Sequence, residues 1–409
     1  MKVSVTVHRG SAEIGGSCIE IRSASGQRLI LDAGRPLDAP PGATGLLPKS
    51  LDLTGDATVL ICHPHQDHWG LINELPARWE VMTGVASAKL IGITARFAQQ
   101  PLDRELSTWS SRRSFSRGAF QVRPYLTDHS GFDAYMLLIE VDGRRILYSG
   151  DFRNHGRKGN LVDRLIAAPP EDVDVLIIEG TNLGTNKPTE SEDELEARFV
   201  DLARRTAGRV FVTWSGQNID RTVTLYRAAS KSGRTLAVDL YTAEVLDALR
   251  EHLSAPYLGI DKLKVVLTRN LVAYYKRLGR EDWLAKMAQV GFGAADLERD
   301  NYIAMIRRGN LHRDYLAKGV VPTAEDAYSF SMWSGYLKDQ TEMLDWFRSA
   351  GSTIKHIHTS GHASPATLRA FAAAISAKAV IPVHGSNWNT EQDGFGSIIR
   401  LGDAETFTI

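Results

Sequence analysis

The chain has 409 residues, its 48 Lys plus Arg balance 48 Asp plus Glu, and 43% of it is hydrophobic. That length exceeds one ordinary core and suits two or three packed units, and the mixture is that of a globular chain rather than a disordered one. Zero net charge argues against a non-specific polyanion coat, but not against a polyanion substrate, because a metal site supplies its own local positive charge.

The N-terminus opens at once on the alternation Val3, Val5, Val7. This is a strand pattern, not the basic start and apolar run of a signal peptide. Residues 18–21 and 28–31 continue as short strands between Gly/Ser-rich turns, which predicts a meander. The Pro/Gly-rich stretch 36–48 reads as a surface loop. Residues 59–61 form a short apolar strand that ends in a histidine cluster. Strands are expected at 89–91, 121–125, 135–141 and 145–148, with Asp142-Gly143 as a hairpin turn between the last two. Residues 173–178 are almost wholly apolar and β-branched, as a central strand buried on both faces would be.

The pattern then changes. Residues 191–205 are acidic at the start and arginine-rich at the end, which matches charge to a helix dipole. Strands at 210–213 and 235–238 alternate with helices at 219–229 and 242–253, and that rhythm predicts a parallel sheet flanked by helices. Residues 260–320 read as helical and charged. The rhythm returns with a strand at 354–359, a helix at 365–376 and a strand at 379–383. No run approaches ~18 uninterrupted apolar residues, so no membrane span or membrane partner is expected. The only cysteines, Cys18 and Cys62, are too few for a disulfide framework. They read as reduced thiols of a cytoplasmic protein.

The strongest signal is His63-Pro64-His65-Gln66-Asp67-His68. Three imidazoles and a carboxylate at the mouth of a buried strand are costly unless a partner compensates them, and a metal cation is the natural one. Alternate residues of an extended segment share a face, so His63 and His65 can bind one ion together. Asp67 and His68 lie past the turn, where they can reach a second ion.

This string resembles the H-x-H-x-D-H signature of the metallo-β-lactamase superfamily. Leu31-Asp32-Ala33-Gly34 is similar to the family's first motif, Asp128-His129-Ser130 to its third and Ser149-Gly150-Asp151 to its fourth. A β-lactamase-type enzyme would end soon afterwards, whereas this chain carries a large insertion and then resumes. The insertion resembles the β-CASP domain of nucleic-acid-processing members. Ile178-Glu179-Gly180-Thr181-Asn182 is similar to their acidic motif, and His358-Thr359-Ser360-Gly361-His362-Ala363-Ser364 to the second motif of the ribonuclease J group. Pro382-Val383-His384-Gly385 is similar to the third, although Ser386 stands where that group usually has Glu. The run from Tyr148 to Arg153 also resembles that group and the endonuclease of messenger RNA 3′ ends. Trp214-Ser215-Gly216-Gln217-Asn218, with Arg221 one turn on, resembles the β-CASP strand-to-helix junction.

The resemblance implies an α/β protein: an αββα metallo-β-lactamase fold at 1–190, an inserted β-CASP α/β domain with a helix-flanked parallel sheet at 191–350, and a return at 351–409. It implies two divalent ions. His63, His65 and His129 would hold one, Asp67, His68 and His384 the other, and Asp151 would bridge them, with Asp32 a structural group behind the ligands. Histidine-rich ligation puts Zn²⁺ first, with Mn²⁺ or Mg²⁺ as alternatives. Two ions ~3.5–4 Å apart would turn a bridging water into hydroxide for in-line attack on phosphorus. Asp67 would also orient that nucleophile, His362 would donate to the scissile phosphate or protonate the leaving oxygen, and Glu179 would orient His362.

Ser364-Pro365 is a cap and first-turn pair, so the helix after it would aim its amides at a phosphate held by Ser360, Gly361, His362, Ala363 and Ser364. Asn218 and Arg221 are either further phosphate contacts or parts of the scaffold. Arg104, Arg112, Arg113 and Arg117, interleaved with Trp109, Phe115 and Phe120, either track a single strand or line a solvated loop. The expected function is a nuclease on single-stranded RNA, exonucleolytic from the 5′ end, endonucleolytic or both. A DNA-directed β-CASP nuclease, a small-molecule metallohydrolase and a non-enzymatic scaffold are the alternatives. The oligomeric state stays open, a homodimer included.

Overall fold

A computed structural model describes residues 2–186, 189–252, 256–298, 301–307 and 310–409. The chain divides into two compact units, Met1–Pro188 with Gly361–Ile409, and Thr189–Ser360.

The first unit is a pair of sheets. One runs in the order Glu405–Thr408, Ser4–Arg9, Cys18–Arg22, Arg28–Leu31, Thr58–Leu60, Glu80–Gly84, Ser107–Trp109. The other runs Ala379–Pro382, Val175–Ile178, Arg144–Tyr148, Tyr135–Val141, Phe120–Leu126, Phe115–Arg117. Alternation along each strand decides which side chains meet. Val5, Val7, Ile19, Ile21, Leu29 and Leu31 share one core with Leu137, Ile139, Ile146, Val175 and Ile177 of the second sheet. The intervening residues face outward and are covered by helices. Ile30, Val59 and Ile61 pack with Ile91 and Ala95 of helix Val85–Phe97. Leu138, Leu147 and Leu176 pack with Val162 of helix Gly159–Ala167 and with Leu368 and Phe371 of helix Pro365–Ile375. The layers are therefore helix, sheet, sheet, helix. Burial on both faces explains the continuous apolar run at Val175–Ile178, where each side chain is worth roughly 1.5–3 kcal/mol.

Residues 89–91, expected as a strand, lie inside helix Val85–Phe97. Ala86, Leu90 and Ile93 recur at i, i+4, i+7 and are all buried, a helical stripe that a three-residue window does not reveal.

The second unit is a parallel sheet in the order Gly291–Phe292, Leu263–Val266, Thr235–Asp239, Tyr302–Met305, Val210–Thr213, Ala327–Phe330, Thr353–His356. Helix Glu192–Arg205 opens on a capping box between Ser191 and Glu194 and ends on Arg204 and Arg205. The segment 260–320, expected as helical, contributes three of these strands. Tyr302–Met305 is buried throughout, and a buried four-residue strand has no period that distinguishes it from a turn of buried helix. The helix expected at 242–253 runs Leu240–Ala248, capped by the Asp239 side chain on Thr242 N, and residue 253 lies outside the described residues. Thr353–His356 pairs with Ala327–Phe330, so the inserted unit extends to Ser360, ten residues beyond the expected 350. Among the described residues no helix is long and apolar enough to cross a membrane.

Candidate metal centre

In the first unit the motif residues sit just beyond strand ends. Asp32 follows Arg28–Leu31, His63 follows Thr58–Leu60, His129 follows Phe120–Leu126, and Asp151 follows Arg144–Tyr148. Glu179 follows Val175–Ile178 and His384 follows Ala379–Pro382. The loop that carries Gln66, Asp67 and His68 is laced to the Asp32 loop by Ala33 N to His68 O at 2.8 Å and Arg35 N to Gln66 O at 3.0 Å. Gly34 permits that approach, since a Cβ there would lie 1.8 Å from Asp67 O. Asp32 and His384 hold φ of 62° and 48°, the left-handed region that costs a non-glycine residue of order 1 kcal/mol or more. Both are pinned by backbone bonds, Asp32 N to Leu60 O at 2.9 Å and His384 N to Gly10 O at 2.7 Å.

The ligand atoms form two groups that meet at one carboxylate. His65 Nδ1 lies 3.2 Å from His63 Nε2 and 3.1 Å from His129 Nε2. Asp151 Oδ2 lies 3.6 Å from His63 Nε2, 3.1 Å from His68 Nε2 and 3.7 Å from His384 Nε2. Asp67 Oδ2 lies 3.8 Å from His68 Nε2 and 3.4 Å from His384 Nε2. His63, His65 and His129 form one candidate cluster, and Asp67, His68, Asp151 and His384 another.

These residues fit divalent ions. A tetrahedral ion with bonds of ~2.0–2.1 Å has ligand–ligand edges of about 3.3 Å, close to the imidazole separations seen here. Burial and neighbouring imidazoles push His63 and His129 well below the ordinary range, and burial takes His65 down to about 4, so all three are neutral donors. Burial also pulls on His68, but Asp151, Asp32 and Asp67 outweigh it and hold its imidazole well above the ordinary range. That pocket draws positive charge. Among the described residues, Asp151 Oδ1 and His129 Nδ1 are buried with no hydrogen-bond partner.

Buried partners set the ring tautomers. Asp32 Oδ2 lies 2.8 Å from His68 Nδ1 and accepts from Tyr148 Oη at 2.6 Å, while Asp32 Oδ1 accepts from Cys62 N at 2.8 Å. Nδ1–H of His68 is thus committed, and its Nε2 faces Asp151. Thr181 Oγ1 holds the ring of His384, 2.9 Å from its Nδ1. Motif adjacency flags Tyr148, Thr181 and Cys62 in the sequence, but their partners lie up to 203 residues away in the chain.

His362 Nδ1 lies 3.0 Å from Glu179 Oε2 and 3.8 Å from Asp151 Oδ2. Glu179 is buried and accepts from Phe152 N at 2.9 Å through its other oxygen. Burial lowers His362, but the charges of Glu179 and Asp151 outweigh it and hold the imidazolium up to about 9. Asn182 Nδ2 donates to His362 O at 2.9 Å and Ala363 O at 3.0 Å, a clamp on this loop that the sequence reading missed.

The other expected residues divide. Gly361, His362, Ala363 and Ser364 belong to the first unit and Ser360 to the second. Ser364 caps helix Pro365–Ile375, accepting from Thr367 N, but the Ala363 amide is committed to Phe152 O at 2.6 Å. In the second unit Asn218 caps helix Ile219–Lys231 by accepting from Arg221 N at 3.0 Å. Arg221 is fully buried, with its guanidinium on Glu192 at 3.0 Å and on Ser331 O at 3.1 Å. In the basic-aromatic segment Arg117 pairs with Glu80, Arg104 donates to Leu75 O, and Trp109 and Phe120 are buried. Those contacts tie these four residues into the first unit.

Residues 13–211 match the family model of the metallo-β-lactamase superfamily. The chain is 27% identical over 275 residues to a ribonuclease J-like protein of Methanocaldococcus jannaschii, covering 63% of this chain and 61% of that one. It is 21% identical to ribonuclease J of Sinorhizobium meliloti, covering 93% and 69%, and 23% identical to that of Corynebacterium glutamicum, covering 92% and 52%. The chain thus spans 52–69% of the length of these three relatives. A solved structure of a protein of unknown function from Enterococcus faecalis superposes over 100% of both chains with a TM-score of 0.78 at 18% identity, a likeness of fold. The first unit is a metallo-β-lactamase domain. With its inserted parallel-sheet unit, the chain is similar over much of its length to these ribonuclease J and ribonuclease J-like proteins.

Proposed function

We propose that this chain is a two-metal phosphodiester hydrolase that acts on single-stranded RNA. The observation that carries the reading is the convergence of two ligand clusters and the His362–Glu179 pair on the one carboxylate of Asp151. The names of the relatives point the substrate class to RNA. His63, His65, His129 and Asp151 would hold one ion, and Asp67, His68, Asp151 and His384 the other. Bound there, divalent ions lower the pKa of water and neutralise charge on a phosphate. Asp67 is the more exposed of the two ligand carboxylates and accepts the hydrogen bond that orients the attacking water. Glu179 engages Nδ1 of His362, so Nε2 is the atom that meets the phosphate or protonates the leaving oxygen. The N-terminus of helix Pro365–Ile375, with Gly361 and Ser364 before it, supplies a second anion contact. Asn218 and Arg221 serve as cap and buried pair.

The test is cleavage of end-labelled single-stranded RNA and matched DNA with added Zn²⁺ or Mn²⁺. Wild type cuts RNA, and Asp67→Ala and His362→Ala each lose roughly 10²-fold or more. Cleavage of DNA alone overturns the substrate class. No cleavage of either polymer by a metal-loaded chain overturns the nuclease reading in favour of a small-molecule hydrolase.

A further inference from the structure

Cys62 is a buried nucleophilic group that the proposed chemistry leaves unused. It lies between strand Thr58–Leu60 and His63, wholly buried. Its Sγ is 3.0 Å from Asp32 Oδ2, 3.1 Å from His63 Nδ1 and 3.4 Å from His68 Nδ1. Gly150, at φ +49°, closes over it, and a Cβ there would stand 3.1 Å from both Cβ and Sγ of Cys62. The pocket is therefore cut to a small side chain.

One thiol proton serves these neighbours, and only one arrangement satisfies all of them. Sγ lies 3.0 Å from Asp32 Oδ2, a contact with a carboxylate that only a thiol carrying its proton makes. Asp32 Oδ2 is an acceptor only. A thiol proton aimed at His63 would set a bare sulfur against that carboxylate at 3.0 Å and would leave His63 with its proton on Nε2, the atom that faces Asp151. With S–H donated to Asp32, the sulfur instead accepts Nδ1–H of His63. His63 Nε2 then presents a lone pair toward His65 and Asp151. His68 donates its own Nδ1–H directly to Asp32.

We propose that Cys62 is a positioning residue: its thiol relays Asp32 to His63, so one buried carboxylate sets the tautomer of one histidine in each ligand cluster. The functional consequence rests on the metal-dependent reading above, while the tautomer is a property of the chain by itself. Loss of the thiol falls on the His63, His65 and His129 cluster, because the bond from Asp32 to His68 is direct.

The test uses the full chain, first without metal. Long-range ¹H–¹⁵N spectra, with His63 assigned by the His63→Gln variant, report which ring nitrogen carries the proton. Wild type shows His63 protonated on Nδ1. Cys62→Ser, whose hydroxyl both donates and accepts, retains that form, and Cys62→Ala loses it. Competition with a chromophoric chelator then measures Zn²⁺ affinity. Cys62→Ala weakens one of the two ions ~10–100-fold, and Cys62→Ser stays within about threefold of wild type. Thermal melts establish that both variants are folded. An Nε2–H His63 in wild type overturns the proposal. So does a folded Cys62→Ala that keeps the tautomer and both affinities, or equal losses in Ser and Ala variants, which mark a packing role. A chain that shows the relay but cuts no nucleic acid overturns the nuclease reading and leaves the relay standing.

Discussion

Replacing Arg221 by alanine separates scaffold from substrate contact. The guanidinium has no exposed surface and donates to Glu192 Oε1 at 3.0 Å, Glu192 Oε2 at 3.3 Å and Ser331 O at 3.1 Å. Thr224 Oγ1 donates to the same carboxylate at 2.7 Å. Arg221→Ala removes the cation from beside a buried anion and opens a cavity. Breaking one side of such a pair costs about 3–5 kcal/mol. For a unit of roughly 170 residues, each kcal/mol moves the melting midpoint about 2–4 °C, so the transition of the second unit falls by roughly 6–20 °C. Differential scanning calorimetry of the full chain reads this directly. Arg221→Lys keeps the charge but cannot span Glu192 and Ser331 together, and it lies between the two. Arg221→Met with Glu192→Leu removes both charges and recovers more than half of the loss. An Arg221→Ala chain that melts within about 1 °C of wild type and loses only RNA affinity would falsify this account and return Arg221 to the substrate.

Other perturbations reach the first unit. Asp32→Asn puts an amide against Nδ1 of His68 and turns its tautomer over, so Zn²⁺ affinity in chelator competition drops ~10–100-fold, about 1.4–2.7 kcal/mol, and unchanged affinity in a folded variant refutes it. Chelation of bound metal lowers the transition of the first unit alone, by about 2.7 kcal/mol per site held at 100 times its Kd, and equal shifts in both units contradict the placement of the ligands. Glu179→Gln keeps a bond to Phe152 N but removes the charge that sustains the imidazolium of His362, so kcat falls roughly 10–10²-fold at constant KM. Burial opposes ionisation of Glu20, yet hydrogen bonds from His8 and Arg28 hold its pKa down at about 2, from an ordinary 4.5. A depressed carboxyl stabilises the fold above the unfolded pKa and loses that contribution as pH falls toward the folded one. Wild type should therefore exceed Glu20→Gln by on the order of 2–3 kcal/mol at pH 6 in urea titrations, with the gap closing between about pH 4.5 and 2. A gap that persists at pH 2 counts against the ion pair as its source.

Local pattern made much of this chain legible. The alternation at Val3, Val5 and Val7 and the apolar run at Val175–Ile178 state which faces are buried, because side-chain period follows from backbone geometry. The acidic start and arginine-rich end of Glu192–Arg205 state a helix and its direction, because the dipole is local too. His63, His65, Asp67 and His68 are dense enough in one short string to announce a metal site without any partner in view. Short buried segments were not legible. Tyr302–Met305 and Val85–Phe97 exchange appearances in a small window, and only their neighbours in the sheet or on the helix stripe decide them.

Tertiary structure supplied the distances behind pairings that the resemblance only implied, and decided others outright. It brings His384 to 3.4 Å from Asp67 across 317 residues, and His362 to Glu179 across 183. It also buries Arg221 on Glu192 and ties Cys62 to both Asp32 and His63. The same arginine in sequence reads equally well as a phosphate contact, because burial is a property of what packs over a residue and not of the residue itself. The sequence by itself thus determined periodicity, capping and the kinds of donor present. Which donors face one another, in which tautomer and away from water, was decided by the closure of two sheets around one carboxylate.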